Sequence, residues 1–447
     1  MNPILDDLFT VLSFPSISTD SSFAEDVLKN AEWLHQKLTS IGLTAETFKT
    51  DKHPIVVAKN THREGRINVL LYGHYDVQPV DPVELWNTPP FEPTLKDDKI
   101  FARGATDNKG QHMAHLKAIE LLLKENDELP VNLTVLLEGE EEIGSPNLVP
   151  FLETHKADLP CDVIIVSDTG MVAPNTGTMG YGLRGIICCE VFLNGPAGDQ
   201  HSGCIGGAIA NPATEIARLV SSLHDIDGKV VIEGFYDEVE PLAQWERDMW
   251  ANVPGMSESE MLELTDAPAL HGEAGYSSAE RLWARPTAEV NGIGGGYQGE
   301  GSKTVLPAAA MAKLSFRLVP NQDPDKIFQQ VEAHLKKHCP EHITLTVKKG
   351  HGGSPYRSDP NDTYGKVAQE ALEEVFGKEP VLIREGGSIP IIGDFKRILG
   401  ADTLMLGLAL PDAQIHAPNE NFPIENFLKG IELSKTTLQK LGELSKE

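Results

Sequence analysis

Histidine and carboxylate side chains recur at places in the chain where a short apolar run ends or a helix begins. Imidazoles and carboxylates hold divalent metal ions and transfer protons in hydrolytic enzymes. The side chains in these positions are His74, Asp76, Asp107, Glu141, Glu142, Asp168 and His416. Each of them alone is typical of an ordinary solvated loop, so only a shared location would give them a chemical role.

The elements around these residues predict that location. Residues 67–72, 131–137 and 163–166 are continuous runs rich in leucine and β-branched residues, as in strands buried on both faces of a parallel sheet. Ligands bind such sheets at the carboxyl ends of the strands, where the acids and His74 follow. Asp107 precedes a helix with apolar residues at helical spacing between 113 and 123, and His416 follows a predicted strand at 403–408.

Carboxylates gathered at one edge would repel one another and take up protons unless a multivalent cation neutralised them. A mixed set of imidazoles and carboxylates suits Zn²⁺ or Mn²⁺. One carboxylate can bridge two ions about 3.5–4 Å apart, as in two-metal hydrolases. The residue types therefore predict a site for two divalent metal ions.

The order of elements predicts an α/β fold with a larger catalytic domain, which has a mostly parallel sheet covered by helices on both faces. From residue 186 the pattern becomes β-α-β-β-α-β, which indicates an inserted ferredoxin-like α+β domain. Residues 225–286 interrupt that pattern as a polar, acidic stretch, and a helix at 364–376 and a last helix at 424–441 follow it. We expect residues 1–185 and 388–447 to form the catalytic domain and residues 186–387 the inserted one.

Composition restricts the classes of partner. The 447 residues carry 38 basic and 66 acidic side chains, a formal net charge of −28, which argues against nucleic acid and anionic membranes as partners. No apolar stretch reaches the length of a membrane span, and the N-terminal residues lack the pattern of a signal peptide. Five cysteines without a CxxC motif are typical of reduced thiols, so we expect a cytoplasmic protein.

Six segments together resemble the M20 family of metallopeptidases, and within it the carnosinase-like dipeptidases. These segments are residues 73–79, 103–110, 138–145, 167–169, 201–203 and 416–420. The resemblance extends from the first helix to the last. It implies that His74 and Asp168 bind one metal ion, that Glu142 and His416 bind the other, and that Asp107 binds both. It also implies a cis peptide bond between Asp107 and Asn108.

The remaining candidates have roles around that centre. Asp76 is expected to orient His74 by accepting its second N–H, and Glu141 to act as the general base for metal-activated water. By the resemblance, His201 stabilises the oxyanion from across a dimer interface on the inserted domain. Arg317 is placed to clamp a substrate carboxylate. Further residues match positions that line the substrate pocket in carnosinase-like relatives, namely Thr304, His351 and Ser388.

Three functions remain open at this point. The first is a di-metal exopeptidase that cleaves dipeptides or very short peptides. The second is an amidohydrolase that removes the acyl group of an N-acyl amino acid, for which the same metals and base would serve. The third is a non-catalytic metal-binding protein, in which a base beside a complete ligand set would have no purpose.

Overall fold

The structure is a computed structural model, which describes residues 3–387 and 389–444. The chain divides into two compact units. The first comprises Met1–Tyr181, Ser358–Ile383 and Asp394–Glu447, and the second comprises Gly182–Arg357 and Arg384–Gly393.

The strands and helices are numbered in chain order. The strands are β1 (Thr44–Phe48), β2 (Ile55–Lys59), β3 (Asn68–His74), β4 (Thr94–Lys96), β5 (Lys99–Phe101), β6 (Asn132–Glu138), β7 (Val163–Val166), β8 (Thr178–Leu183), β9 (Gly185–Asn194), β10 (Gln200–His201), β11 (Thr287–Gly295), β12 (Val305–Leu306), β13 (Ala309–Leu318), β14 (Thr344–Gly353), β15 (Tyr356–Arg357), β16 (Val381–Glu385), β17 (Asp402–Leu406) and β18 (Asn421–Pro423). The helices are α1 (Pro3–Leu12), α2 (Ala24–Ser40), α3 (Lys109–Asn126), α4 (Leu148–His155), α5 (Ser202–Ile205), α6 (Pro212–Ser221), α7 (Gln244–Trp250), α8 (Glu258–Thr265), α9 (Ser278–Ala284), α10 (Pro324–His338), α11 (Thr363–Phe376), α12 (Pro390–Leu399) and α13 (Ile424–Glu443).

The sheet of the first unit has parallel strands at its centre, in the order β6-β3-β7-β17. Val69 of β3 lies opposite both Leu133 of β6 and Val163 of β7, which sets the three strands in one register. At one margin β1 and β2 continue the sheet with antiparallel pairing, and at the other margin β8 does so. The expected α/β fold is confirmed, with parallel pairing confined to the centre of the sheet.

Burial shows that this sheet is covered on both faces. Every residue of β6 and β7 is buried, and so is every residue of β3 except the first. Successive residues of a strand point to opposite faces, so continuous burial requires a cover on each face. Helix α3 packs against β3 and against α13, and α11 packs against α13. The short apolar runs of the sequence therefore form the core that the site rests on.

The second unit contains a four-stranded antiparallel sheet in the order β11-β13-β9-β14. Along the chain the elements run β9, α6, β11, β13, α10 and β14, which confirms the expected β-α-β-β-α-β pattern. Alternate residues of β9 and β13 are buried, and this face packs against Leu219 of α6 and Leu335 of α10. The Asp323 carboxylate caps the start of α10 by accepting the Lys326 N–H, and Pro324 takes the first helical position.

The division of the chain differs from the expected one most in residues 358–383, and residues 182–185 and 389–393 belong to the second unit instead of the expected catalytic domain. Residues 358–383 belong to the first unit, although the sequence placed the boundary at 388. The cause is α11, whose buried residues Val367, Ala368 and Leu372 form an amphipathic face, with α13 as the neighbouring helix. The acidic stretch 225–286 contains α7, α8 and α9, and Trp250 packs edge-on against Trp283 within it.

Composition also led us to expect reduced thiols and no membrane span. All five cysteines are free thiols. Within residues 3–387 and 389–444, no helix is long and apolar enough to cross a membrane.

Close packing of α3 on β3 predicts a large effect at Gly73. A Cβ atom at this position would lie 2.8 Å from the His112 Cβ and 3.0 Å from the Asn108 Oδ1. We expect Gly73→Ala to destabilise the protein by about 1–3 kcal/mol, because the helix must shift away from the strand. Thermal or urea unfolding measures the change in the free energy of unfolding.

Gly170→Ala is the matched control for this substitution. A Cβ atom there meets no atom closer than the Ala409 carbonyl oxygen at 3.4 Å, which is ordinary contact. We expect an effect smaller than about 1 kcal/mol. Equal stability losses in the two variants would contradict the packing argument.

Candidate metal centre

The parallel strands deliver the candidate residues to one edge of the first unit. His74 is the last residue of β3 and lies opposite Glu138, the last residue of β6. Tyr72 lies opposite Val166, the last residue of β7, so Asp168 continues from the same edge. The register of the sheet therefore brings these strand ends together, as the sequence predicted.

Two groups of side chains in the described part of the chain could each hold a metal ion. The first consists of His74, Asp107 and Asp168, and the second consists of Asp107, Glu142 and His416. Within each group the candidate ligand atoms all lie within 4.8 Å of one another. The structure thus brings together all five residues that the resemblance assigns to the metals.

Asp107 belongs to both groups and turns one oxygen to each. Its Oδ1 lies 3.1 Å from the Nε2 of His74, and its Oδ2 lies 2.9 Å from the Nε2 of His416. The other pairs are also close: His74 Nε2 is 3.6 Å from Asp168 Oδ1, and His416 Nε2 is 3.3 Å from Glu142 Oε2. A carboxylate between two imidazoles has the geometry that a bridging ligand needs.

Asp76 supports this arrangement in two ways. Its Oδ1 lies 3.3 Å from the Nδ1 of His74, on the side of the ring that faces away from Asp107. Its two carboxylate oxygens also accept the backbone N–H groups of Glu141 at 3.2 Å and Glu142 at 3.1 Å. The first contact places Asp76 beside the ring nitrogen that it is expected to orient, and sequence reasoning missed the second contact. The fully buried Asp76 therefore fixes both an imidazole and the turn that carries two glutamates.

Asn108 is a further residue that sequence reasoning missed. Its side-chain amide donates to Asp168 Oδ1 at 2.8 Å and to the Ser167 carbonyl at 2.6 Å. Its Oδ1 faces the backbone N–H of His74 at 3.4 Å. The peptide bond between Asp107 and Asn108 is cis, as the resemblance implied. The position directly after Asp107 was the available signal for this residue.

The carboxylates of the centre shift the pKa values of the two histidines. Burial alone would lower the pKa of the His74 imidazole, but the charge of Asp168 and the contact with Asp107 raise it well above its usual value. Hydrogen bonds to Asp107 and Glu142 raise the pKa of His416 to about 10. Burial would raise the pKa of the Asp107 carboxyl, yet both imidazoles hold it below its usual range.

A divalent cation fits this donor set. The surrounding carboxylates favour a proton on each imidazole, and a metal ion would take the place of those protons because it binds the neutral ring. The mixture of imidazole nitrogens and carboxylate oxygens suits Zn²⁺ or Mn²⁺. The residues present therefore fit a pair of divalent ions.

Glu141 lies beside this donor set and outside both groups found among the described residues. It begins a short 3₁₀ turn, Glu141–Ile143, that directly follows Glu140. Burial raises the pKa of its carboxyl well above the usual value, and the neighbouring carboxylates add to that shift. Glu140 differs from it, because its carboxylate accepts from the His53 N–H at 2.8 Å and from the Asn147 side-chain amide.

The described candidate residues for substrate binding and oxyanion stabilisation lie in the second unit. His201 ends β10 opposite Val305, and the Ser202 N–H donates to the Thr304 carbonyl at 3.0 Å, so His201 and Thr304 are neighbours. The His201 side chain is exposed, and its Nδ1 accepts the Gly203 N–H at 3.0 Å. Ser388 lies outside the described residues.

Arg317 and His351 lie on the four-stranded sheet. Arg317 on β13 pairs with Ile186 of β9. Cys188 lies two residues further along β9, and its Sγ is 3.4 Å from the Nε2 of His351. These side chains belong to the less buried face of the sheet. Burial, with a further contribution from the charge of Arg317, lowers the pKa of Arg184 to about 10.

Comparisons with known proteins agree with these findings. The model of "Peptidase family M20/M25/M40" matches residues 70–440. The chain is 31% identical to the Cys-Gly metallodipeptidase dug1 of Schizosaccharomyces pombe, over 98% of this chain and 95% of that protein. It is 30% identical to the human Beta-Ala-His dipeptidase, over 88% of this chain and 78% of that one.

A solved structure is also similar. The M20 family metallo-carboxypeptidase Sso-CP2 from Sulfolobus solfataricus superposes with a TM-score of 0.87 and 36% identity, and the match covers 99% of this chain and all of that one. The family match spans the segments that carry the metal centre, and the likeness in sequence and in fold extends over nearly the whole chain. The protein therefore belongs to the M20/M25/M40 family of peptidases.

Proposed function

We propose that the protein is a dipeptidase that depends on two divalent metal ions, Zn²⁺ or Mn²⁺. His74 and Asp168 would hold one ion, Glu142 and His416 the other, and Asp107 both. The observation that carries this proposal is the position of Asp107, with one carboxylate oxygen toward each imidazole. The named activities of the two dipeptidase relatives support dipeptides as the substrate class.

Glu141 is proposed as the general base. When bound, the two ions would supply Lewis-acid polarisation of the scissile carbonyl and a lowered pKa for the attacking water. The Glu141 carboxylate would take a proton from that water while the water oxygen attacks the carbonyl carbon of the substrate. The same carboxyl then gives the proton to the leaving nitrogen as the C–N bond breaks. The position of Glu141 outside both ligand groups leaves its carboxylate available for this proton transfer.

The second unit is proposed to bind the substrate and to form a homodimer as a lid and dimerisation domain. Arg317 would clamp the C-terminal carboxylate of a dipeptide, because a guanidinium group can donate two parallel hydrogen bonds to a carboxylate. Thr304, His351 and Ser388 would complete the pocket, and His201 would stabilise the oxyanion. A cytoplasmic location, which the free cysteines led us to expect, belongs to the same proposal.

The metal centre predicts a change in thermal stability. We expect Zn²⁺ or Mn²⁺ to raise the melting temperature of the chelator-treated protein, because ions that bind only the folded state stabilise it by about 2.7 kcal/mol at a hundredfold excess over Kd. Asp107→Ala should remove this response, since both ions would lose a ligand. Asp412→Ala is the control, because that exposed carboxylate pairs with Lys99. A full response in the Asp107 variant would contradict the shared ligand.

A substrate panel tests the activity itself. We expect the metal-loaded protein to hydrolyse dipeptides with a free C-terminal carboxylate faster than tripeptides or N-acetyl amino acids, by mass-spectrometric detection of products. Glu141→Gln should keep both ions and lose about 10²–10⁴-fold in kcat, because glutamine cannot accept the proton. Glu140→Gln is the matched control and should retain most of the rate, since that carboxylate binds His53 and Asn147.

The panel also distinguishes the competing functions. Preference for N-acetyl amino acids would favour the amidohydrolase, and preference for longer peptides would favour the carboxypeptidase activity in the name of the Sulfolobus solfataricus relative. No turnover of any member by protein with two bound ions would favour a non-catalytic metal protein. A fast Glu141→Gln enzyme would remove Glu141 from its role as base.

A mixed dimer tests whether His201 serves the partner subunit. We expect His201→Ala and Glu141→Ala to be nearly inactive alone, and their co-expressed mixture to regain about a quarter of wild-type activity. With random pairing, half of the dimers are mixed, and half of the sites in each mixed dimer are intact. Parental activity in the mixture would show that His201 acts within its own subunit, and a monomer in solution would exclude the dimer.

A further inference from the structure

Glu420 is a buried carboxylate that the proposed chemistry does not use. It has no exposed surface, and its side chain forms an ion pair with the equally buried Arg103, at 2.7 Å between Oε2 and Nη1. Three backbone N–H groups also donate to it: Gly104 to Oε2 at 3.0 Å, Thr106 to Oε1 at 2.9 Å, and Asp107 to Oε1 at 3.0 Å. The loop before Asp107 is thus wrapped around one carboxylate.

The main chain around Glu420 joins the same two segments. Its carbonyl accepts the Ala102 N–H at 3.2 Å, and the next residue, Asn421, pairs with Phe101 in the short β18 and β5 ladder. The Thr106 hydroxyl donates to the Asn421 carbonyl at 2.7 Å. Residues 101–107 and 420–421 are therefore tied together by backbone and side-chain contacts alike.

Both segments lead directly to the metal centre. Asp107 ends the first segment, and His416 lies four residues before Glu420 in the second. The Oδ2 of Asp107 and the Nε2 of His416 are the 2.9 Å pair at the centre. A shift of either segment by a few tenths of an ångström would change that distance, while Glu420 holds both.

We infer that Glu420 is the positioning residue that sets Asp107 against His416 and so establishes the geometry of the shared metal ligand. It does not touch the ions or the substrate in this role. It acts through the backbone of Asp107 and through its own loop. The inference rests on the proposed metal centre, and it assigns a role to a residue of the 416–420 segment beyond the ligand His416.

The chemistry of the contacts explains why a carboxylate is needed here. All four partners are donors, with two at each oxygen, and an ionised carboxylate is the side chain that offers acceptors only. Burial raises the pKa of the Glu420 carboxyl, while Arg103 and the N–H groups favour the ionised form. In glutamine, an NH₂ group would replace one of the two oxygens and would face two N–H donors. Repulsion between these donors would push that part of the 103–107 loop away from the side chain.

The test compares Glu420→Gln with a control substitution that also breaks an ion cluster of the first unit. Glu120→Gln breaks another largely buried ion cluster of the first unit, in which Glu120 contacts Lys37 at 3.1 Å and Lys117 at 3.0 Å. Glu120 lies on α3, about 17 Å along the helix from its start at Lys109, so it is remote from the centre. Metal affinity is measured by competition with a chromogenic chelator, and the Co²⁺ absorption spectrum reports ligand geometry.

We expect Glu420→Gln to bind metal about 10–100-fold more weakly than the wild type and to have an altered Co²⁺ spectrum. Glu120→Gln should melt at a lower temperature yet keep wild-type metal affinity and spectrum. Glu420→Asp keeps the charge on a shorter side chain and should recover part of the lost affinity. It also serves as the deciding variant if Glu420→Gln does not fold.

The outcomes separate the inference from the function it rests on. Wild-type protein that binds no divalent metal would overturn the metal centre and the inference together. Two ions bound by the wild type, with unchanged affinity and spectrum in the Glu420 variants, would overturn the inference alone. Equal losses of metal affinity in the Glu420 and Glu120 variants would also overturn it, because general destabilisation would then explain both.

Discussion

Repulsion among buried carboxylates is the constraint on which the organisation of the first unit depends. Asp107 lies close to Asp168 in one ligand group and to Glu142 in the other, and the fully buried Asp76 contacts the His74 ring and the Glu142 N–H. Removing such charges from water costs several kcal/mol for each ion unless opposite charge is provided. Two imidazoles provide that charge only while they are protonated. Divalent cations provide it permanently, so the centre has a built-in preference for metal.

The parallel sheet makes this concentration of charge possible. Adjacent parallel strands end at the same edge, so short segments far apart in sequence deliver side chains to a common point without long loops. The cost is that each ligand must be held individually, because a strand end has no regular hydrogen-bond partners beyond the ladder. Asp76, Asn108 and Glu420 meet this need by accepting or donating at the backbone of the ligand segments. Each of them is fully buried.

Sequence periodicity predicted the strands and helices well, because the central strands are buried on both faces and leave continuous apolar runs. The identities and proximity of the five candidate ligands followed from strand ends together with the family resemblance. The boundary at residue 388 was wrong for residues 358–383, since the partner of α11 is the distant helix α13. No local pattern distinguishes a helix that packs on one domain from a helix that packs on the other.

The supporting residues could not be predicted for a related physical reason. A candidate metal ligand can be recognised in the sequence by its residue type. A positioning residue is defined by the groups that it contacts, and those contacts join segments that are far apart in the chain. Glu420 meets Gly104, Thr106 and Asp107 more than 300 residues away from them in sequence. Such a residue becomes visible only when its donors are identified one by one. The precision of a metal centre therefore depends on contacts that neither composition nor periodicity contains.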